Sequence, residues 1–303
     1  MKKCMIFLMT AFLSLMVQSQ EILQGGIRYY GNYMGAATIA AFQSKDLEGD
    51  IIIPSELKYQ DESLAVTQIE QYAFSECTNI HSITIPSSID ETTYDYGYEF
   101  YGCASLERVT LSPNMQILKG TFMGCKALKN ITIPEGVKYM DYVFENCSEL
   151  DGVTLPESLI EIGLECFYGC TSLRKIVIPS SVGSIGQDAF AYCRGLNSVT
   201  CLALVPPSCL GRRGPRWVDV NPFRNIAPNA TLYVPNAVLE SYKNSFPWNT
   251  FYKIEPYETV GISTVSDISQ NGYSGCWNLS GQRIVIPKSG VFIRNGKKYL
   301  THE

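Results

Sequence analysis

The sequence predicts a solenoid, a coil of short β-containing repeats, and three observations carry that assignment. A Phe recurs at Phe74, Phe100, Phe122, Phe144, Phe167 and Phe190, at spacings of 26, 22, 22, 23 and 23 residues. A Cys follows each of them by three residues, at Cys77, Cys103, Cys125, Cys147, Cys170 and Cys193, with an aliphatic residue three further on. An apolar/x/apolar triplet then closes each unit, usually before Pro, as in Ile83-Thr84-Ile85-Pro86 and Ile176-Val177-Ile178-Pro179. A unit of about 20–29 residues cannot cover its own apolar face, so it is stable only when neighbours stack on it and continue one core.

The triplets Ile83-Thr84-Ile85, Val109-Thr110-Leu111, Ile131-Thr132-Ile133, Val153-Thr154-Leu155, Ile176-Val177-Ile178 and Val199-Thr200-Cys201 alternate as strands do. Their first and third members point inward and the middle one outward. Pro ends a strand where no further ladder donor is wanted. The segment that follows, as in Val182-Gly183-Ser184-Ile185-Gly186, returns the chain to the next Phe. Stacked triplets are therefore expected to form a narrow parallel sheet on one wall. These words, above all the run from Ile178-Pro179-Ser180-Ser181 through Asp188-Ala189-Phe190-Ala191-Tyr192-Cys193, resemble the BspA-like leucine-rich-repeat family of bacterial surface proteins over residues 51–202. The resemblance implies a leucine-rich-repeat solenoid of 22- to 26-residue turns with terminal caps and a small C-terminal β module. It also implies a surface-adhesion role through contact with a protein partner, such as a host extracellular or surface protein.

In chain order, Lys2 and Lys3 precede an apolar run over residues 4–17, and Val17-Gln18-Ser19 offers a small-residue cleavage site. Residues 1–19 thus read as a secretory signal peptide, and the protein as secreted or held at the cell surface. Nothing later reaches about 18 consecutive apolar residues, so no membrane span is expected in the mature chain. The formal net charge of −5 becomes more negative by two when the leader is removed, which argues against nucleic acid and anionic membranes as partners. Residues 20–50, with Tyr29, Tyr30 and Tyr33, lack the repeat words and are placed to cap the first open layer as a β-hairpin. Ile51-Ile52-Ile53-Pro54 supplies the first strand in register, and Val66, Ile69 and Ala73 complete an atypical first turn.

The second turn is irregular. It carries about three extra residues and reads Thr92-Thr93-Tyr94-Asp95-Tyr96-Gly97-Tyr98-Glu99. Insertions in repeat proteins map to loops, often on a binding side, and Tyr supplies contact area at low entropic cost. Tyr94, Tyr96 and Tyr98 are therefore candidate ligand contacts; the alternative is that one or two of them fill the core slots left by the missing Ile and Ala. After Cys201 the repeat words stop. Residues 203–259 read as a C-terminal cap, with a last strand at Ala230-Thr231-Leu232-Tyr233-Val234-Pro235, a short helix over Val238 to Tyr242, and Trp248 and Phe251 as apolar plugs. Arg212, Arg213 and Arg216 form a basic cluster that reads as a solvated loop or as a contact for an acidic partner. Residues 260–303 read as a small β module, because Asn295-Gly296 between two apolar runs is a strong hairpin signal.

The search for chemistry points away from catalysis. Only two His occur, His81 and His302, and no phosphate-binding, metalloprotease or calcium-loop motif is present. Six of the eleven Cys share one slot of the repeat and read as a stacked column of small buried thiols rather than a metal site. Cys166, Cys201, Cys209 and Cys276 stand outside that column, with Cys201 and Cys209 a possible pair. No cofactor is expected. What remains is a surface: the outward column Thr84, Thr110, Thr132, Thr154, Val177 and Thr200, flanked by Ser82, Arg108, Asn130, Gly152, Lys175 and Ser198. Thr also simply suits an exposed strand. Seven strands about 4.8 Å apart give on the order of 350 Å², short of the ~800 Å² per partner of a stable interface. Binding would then recruit loops such as residues 92–99 or 211–216. The reading is a non-catalytic protein-binding adhesin, with a glycan or envelope-component binder, a hydrolase or an architectural spacer as alternatives.

Overall fold

Each repeat Phe stacks on the Phe of the next turn. The ring centroids of successive pairs from Phe74 to Phe190 lie 5.3, 5.7, 5.9, 5.3 and 5.0 Å apart, and all six side chains are fully buried. A computed structural model gives the structure of residues 20–31, 36–40, 42–59, 61–90, 97–213 and 216–257, and of the strands Cys276–Trp277, Arg283–Ile284, Gly290–Arg294 and Lys297–Thr301. The chain divides into two compact units, Met1–Tyr257 and Glu258–Glu303.

Around the aromatic ladder the first unit builds three hydrogen-bonded walls. The first is the expected one. Glu48–Ile52, Asn79–Thr84 and Arg108–Thr110 pair in parallel, as do Asn130–Thr132 with Gly152–Thr154 and Lys175–Ile178 with Ser198–Cys201. The register sets Ile51 against Ile83, Ile83 against Val109 and Ile176 against Val199, so like residues stack on like. The second wall comes from the return segments. Ile117–Lys119, Tyr139–Asp141, Glu161–Ile162, Ser184–Gly186 and Ser208–Arg213 form a further parallel ladder. Each buries a central residue, Leu118, Met140, Ile162, Ile185 or Cys209. With one inward side chain per strand there is no alternation to read, which is why the sequence shows these segments only as connections.

The third wall is the Phe turn itself. The N–H groups of Tyr98, Phe100 and Gly102 donate to the carbonyls of Lys119, Thr121 and Met123 at 2.8, 3.1 and 2.8 Å, and the next turns repeat the pattern. Three bonds in so short a segment require the residues two before and two after the Phe to turn back on themselves. Tyr98, Tyr142, Asn146 and Asp188 accordingly sit at φ of 59, 56, 60 and 57°. Left-handed backbone costs a non-glycine residue roughly 1–2 kcal/mol, which the inter-turn hydrogen bonds offset.

The Cys column locks the ladder from the side. The thiols of Cys103, Cys125, Cys147, Cys170 and Cys193 donate to the carbonyls of Phe74, Phe100, Phe122, Phe144 and Phe167, one turn back, at 2.9–3.2 Å. Burial raises the thiols of Cys103, Cys125, Cys147 and Cys170, with Cys103 pushed up to about 12. Cys166, Cys201 and Cys209 are also free thiols, so the possible Cys201–Cys209 pair is not made. Cys201 instead accepts a bond from the Tyr242 hydroxyl at 3.2 Å.

At the N-terminus Gln20–Gln24 and Ile27–Gly31 form the expected antiparallel hairpin, joined by Ala36–Ile39, Glu62–Ile69 and Glu56–Tyr59 into a five-stranded sheet. The C-terminal end differs from expectation in two ways. Phe223 adds a seventh ring to the ladder, 5.2 Å from Phe190, before Trp248 and Phe251 close it with tilted and edge contacts. Thr231–Pro235 is not the last strand, because Lys253–Tyr257 pairs beyond it in parallel. The Arg-containing loop hid this extra turn by stretching the Phe-to-Phe spacing. The short helix is Leu239–Lys243. In the second unit Gly290–Arg294 pairs antiparallel with Lys297–Thr301, and Cys276–Trp277 with Arg283–Ile284.

Two outcomes follow from the ladder and its thiols. Phe144→Ala removes a ring stacked on both sides and should cost about 3–5 kcal/mol of unfolding free energy in a urea titration; a loss under ~1 kcal/mol would show that the ring stack does not hold the turns. In the absence of reductant, a maleimide should modify at least the nine described thiols after denaturation and leave the column untouched in the folded chain.

Candidate interaction surface

The outward column lies where the alternation places it, and the wall is longer than the triplets alone. Thr110 and Thr132 are exposed, while Thr84, Thr154 and Thr200 are half-buried by their neighbours. Ile52 precedes them, 74% exposed and opposite Thr84. Tyr233 and Glu255 extend the column past Thr200 through the two C-terminal strands. Nine strand segments at about 4.8 Å give roughly 460 Å², still below the ~800 Å² of a stable interface.

The flanking residues divide by what holds them. Arg108 is tied down: its guanidinium pairs with Asp50 at 3.2 Å and Glu107 at 3.3 Å, and Ser82 donates to the same Asp50 oxygen at 2.6 Å. The Ser82 hydroxyl, then the nearby Arg108 charge, keeps the Asp50 carboxyl below its usual range. Arg108 therefore braces three strands. The Asn130 side chain fills the space beside Gly152, where a Cβ would collide with its Oδ1. Lys175 is exposed, and its side chain makes no hydrogen bond or ion pair among the described residues.

Tyr94 and Tyr96 lie outside the described residues. Tyr98 belongs to the Phe turn, not to the Thr column. Its ring is stacked on Tyr72 at 5.4 Å, with Phe42 a further 6.1 Å along, and it covers Gly120 so closely that no side chain fits there. Burial raises the Tyr98 hydroxyl above its ordinary value. The result is a short aromatic row whose open end is Phe42, 63% exposed.

The Ala slot of the second turn is filled, but not by a Tyr. The residue before each of the six repeat Phe is Ala73, Glu99, Thr121, Val143, Cys166 and Ala189. Glu99 is 1% exposed, and its Oε2 has no hydrogen-bond partner. A carboxyl in a column of small residues could have been read from the sequence once the turns were aligned on Phe. Burial pushes it up to about 7, with its own backbone and the Thr121 hydroxyl pulling the other way.

The Phe-turn wall also gathers carboxylates. Burial, and then Glu165, raises Glu145, while burial, and then Asp188, raises Glu165. Arg224 anchors the end of this strip, bonded to Asp188 and lying 4.7 Å over the Tyr192 ring. Of the two His, His81 is exposed on the strand Asn79–Thr84. No group of three or more potential metal ligands occurs among the described residues, and no helix among them is long and apolar enough to cross a membrane.

The family model for the BspA type leucine-rich-repeat region matches residues 40–141 and 116–205, in six copies. Among solved structures the chain is similar to a leucine-rich cell surface protein from Faecalibacterium prausnitzii A2-165, at 20% identity over 79% of this chain and 73% of that one, with a TM-score of 0.48. It is also similar to a leucine-rich-repeat protein from Bacteroides capillosus, 28% identical over 44% of this chain and 96% of that one, TM-score 0.37. A Treponema pallidum leucine-rich-repeat protein aligns at 19% identity over 84% and 97% of the two chains, TM-score 0.41. No curated protein matches the chain.

Glu99 gives the fold a pH dependence with a definite sign. Its folded value, about 7, lies above the ordinary 4.5, so the stabilisation it allows is fully present below about pH 4.5 and is lost as pH rises to 7. The loss is about 3 kcal/mol. Glu99→Gln should remove that slope, so urea titrations at pH 4.5 and 8 should show the wild type losing ~3 kcal/mol more than the variant. Equal slopes would refute the buried-carboxyl assignment.

Proposed function

We propose that this chain, which belongs to the BspA type leucine-rich-repeat family, is a non-catalytic exported binding protein of the bacterial surface that uses the outward face of its first wall to contact a protein partner. The observation that carries the reading is the column of exposed or half-buried side chains on a rigid wall, with Thr110, Thr132 and Lys175 open to solvent. The repeat family is typically a scaffold for protein interactions, and one similar structure is described as a cell surface protein. Residues 1–19 would direct export and be removed.

Rigid strands hold such a surface with little entropy left to lose on binding. Thr offers a methyl and a hydroxyl at each step, and Lys175 a free cation, so the face suits a partner with mixed polar and acidic character. Its area requires the contact to continue onto neighbouring loops, for which residues 92–99 are placed in the sequence. The rival reading is a glycan binder, favoured by the exposed ring of Phe42 at the end of the aromatic row.

The two readings separate in one experiment. The chain from Gln20 is used to capture partners from extracellular matrix and serum, in parallel with a glycan array, beside the variants Thr132→Glu with Lys175→Glu and Phe42→Ser. A protein partner bound about tenfold more weakly by the sheet-face variant, at unchanged melting temperature, supports the proposal. Glycan binding abolished by Phe42→Ser supports the rival, and capture of nothing supports an architectural role.

A further inference from the structure

The backbone that builds the Phe turns leaves a groove of about 820 Å³ on a different wall from the Thr column. Its floor is the column two residues after each Phe: Glu76, Gly102, Gly124, Asn146 and Gly169, at φ of 58, 70, 77, 60 and 72°. Left-handed backbone favours Gly; Gly124 leaves its place on the floor open, with only the Gly102 backbone beside it, while the Glu76 and Asn146 side chains lie against Gly102 and Gly169.

The polar groups of that floor are one-sided. Every backbone N–H is spent on the inter-turn ladder, as when Gly102 donates to Met123, Gly124 to Glu145 and Gly169 to Ala191, and the Asn146 side-chain amide donates to Glu145. The five carbonyls accept no hydrogen bond among the described residues. They form a row of acceptors about 4.8 Å apart, the spacing of stacked strands. Half-buried Tyr101 and Met123 add apolar surface at the side. Of the two cations, Lys45 is committed to the Ser75 carbonyl and to Glu76 at 3.9 Å. Lys126, midway along, is exposed, and its ammonium has no partner among the described residues.

We propose that this groove takes an extended peptide segment of a partner protein, with an acidic side chain opposite Lys126. An extended chain turns an N–H to one side every second residue, about 6.7 Å, and so reaches some of the carbonyls in the row, and a carboxylate supplies the missing partner of the cation. Gly124, beside Lys126, lets its main chain approach at the middle of the groove, and Met123 adapts to its side chains. Five turns span roughly 19 Å, which at about 3.3 Å per residue accommodates some six residues. A sugar chain fits less well, because Tyr101 is half-buried rather than an open platform for a sugar ring to stack on. The inference rests on the reading of the chain as a binding protein and adds a second site to it.

The test is to pan a random-peptide phage library against the chain from Gln20, then measure a synthetic enriched peptide by fluorescence anisotropy. The enriched sequences should carry Asp or Glu. Affinity should fall about tenfold or more in Lys126→Glu and in the groove-filling variants Ala104→Trp and Ser148→Trp, each read only if it keeps the wild-type melting temperature. Thr132→Glu with Lys175→Glu should bind the peptide as the wild type does. Failure to enrich any peptide, enrichment without acidic residues, or affinity that survives Lys126→Glu or a filled groove overturns the proposal. So does loss that follows the sheet-face variant instead. Matrix or serum capture retained by the groove variants would leave the sheet-face reading standing while this one fell.

Discussion

The structure depends on one constraint: every turn must present the same cross-section to the next at a spacing near 5 Å. Aromatic rings, backbone amides and thiols all meet that repeat at once. The Phe rings stack at 5.0–5.9 Å, the walls hydrogen-bond in register, and the Cys thiols from Cys103 to Cys193 bond the Phe carbonyl one turn back. A substitution that changes the inward outline of one turn is felt by both neighbours, because no turn has a core of its own. Cys fits the third-residue slot for that reason. It is small, apolar enough to be buried, and still carries one donor for a carbonyl that already accepts a backbone N–H of its own turn.

The same constraint explains which features were legible in the sequence. Phe, Cys and the triplets recur at fixed spacing because they are inward, so the ladder, the thiol column and the first wall can be derived from spacing and alternation. The second wall cannot, since Leu118, Met140, Ile162 and Ile185 are single inward residues in otherwise polar segments. The seventh rung was hidden for a different reason. Phe223 follows a long connection through the Ser208–Arg213 and Arg216–Asp219 hairpin, so its ring joins the ladder out of period.

Among the candidate binding residues, the sequence located the Thr column but not the side chains that brace it. Alternation says which way Arg108 and Asn130 project. It does not say that Arg108 meets Asp50, fifty-eight residues away, or that Asn130 fits the space left by Gly152. Those are contacts between turns, and they turn two of the flanking candidates into struts. The aligned sequence did contain the signal for Glu99. A column of Ala, Thr, Val, Cys and Ala has no natural place for a carboxyl, and its burial without a full set of partners makes the second turn the weakest fit to the common cross-section near neutral pH.

A coil whose interior is fixed turn by turn can vary only in what it displays outward. The first wall displays side chains, because strand geometry sends every second residue to solvent. The Phe-turn wall displays backbone only along the column two residues after each Phe, where Gly102, Gly124 and Gly169 stand and the backbone N–H groups are consumed by the ladder. One repeat thus generates two chemically different surfaces, a Thr-lined face suited to a flat partner and a carbonyl-rich groove suited to an extended one. Neither is large enough to hold a stable partner by area alone. A binding protein built this way would gain affinity by engaging both surfaces, or one surface with an adjoining loop, since linked contacts raise effective concentration without enlarging either site.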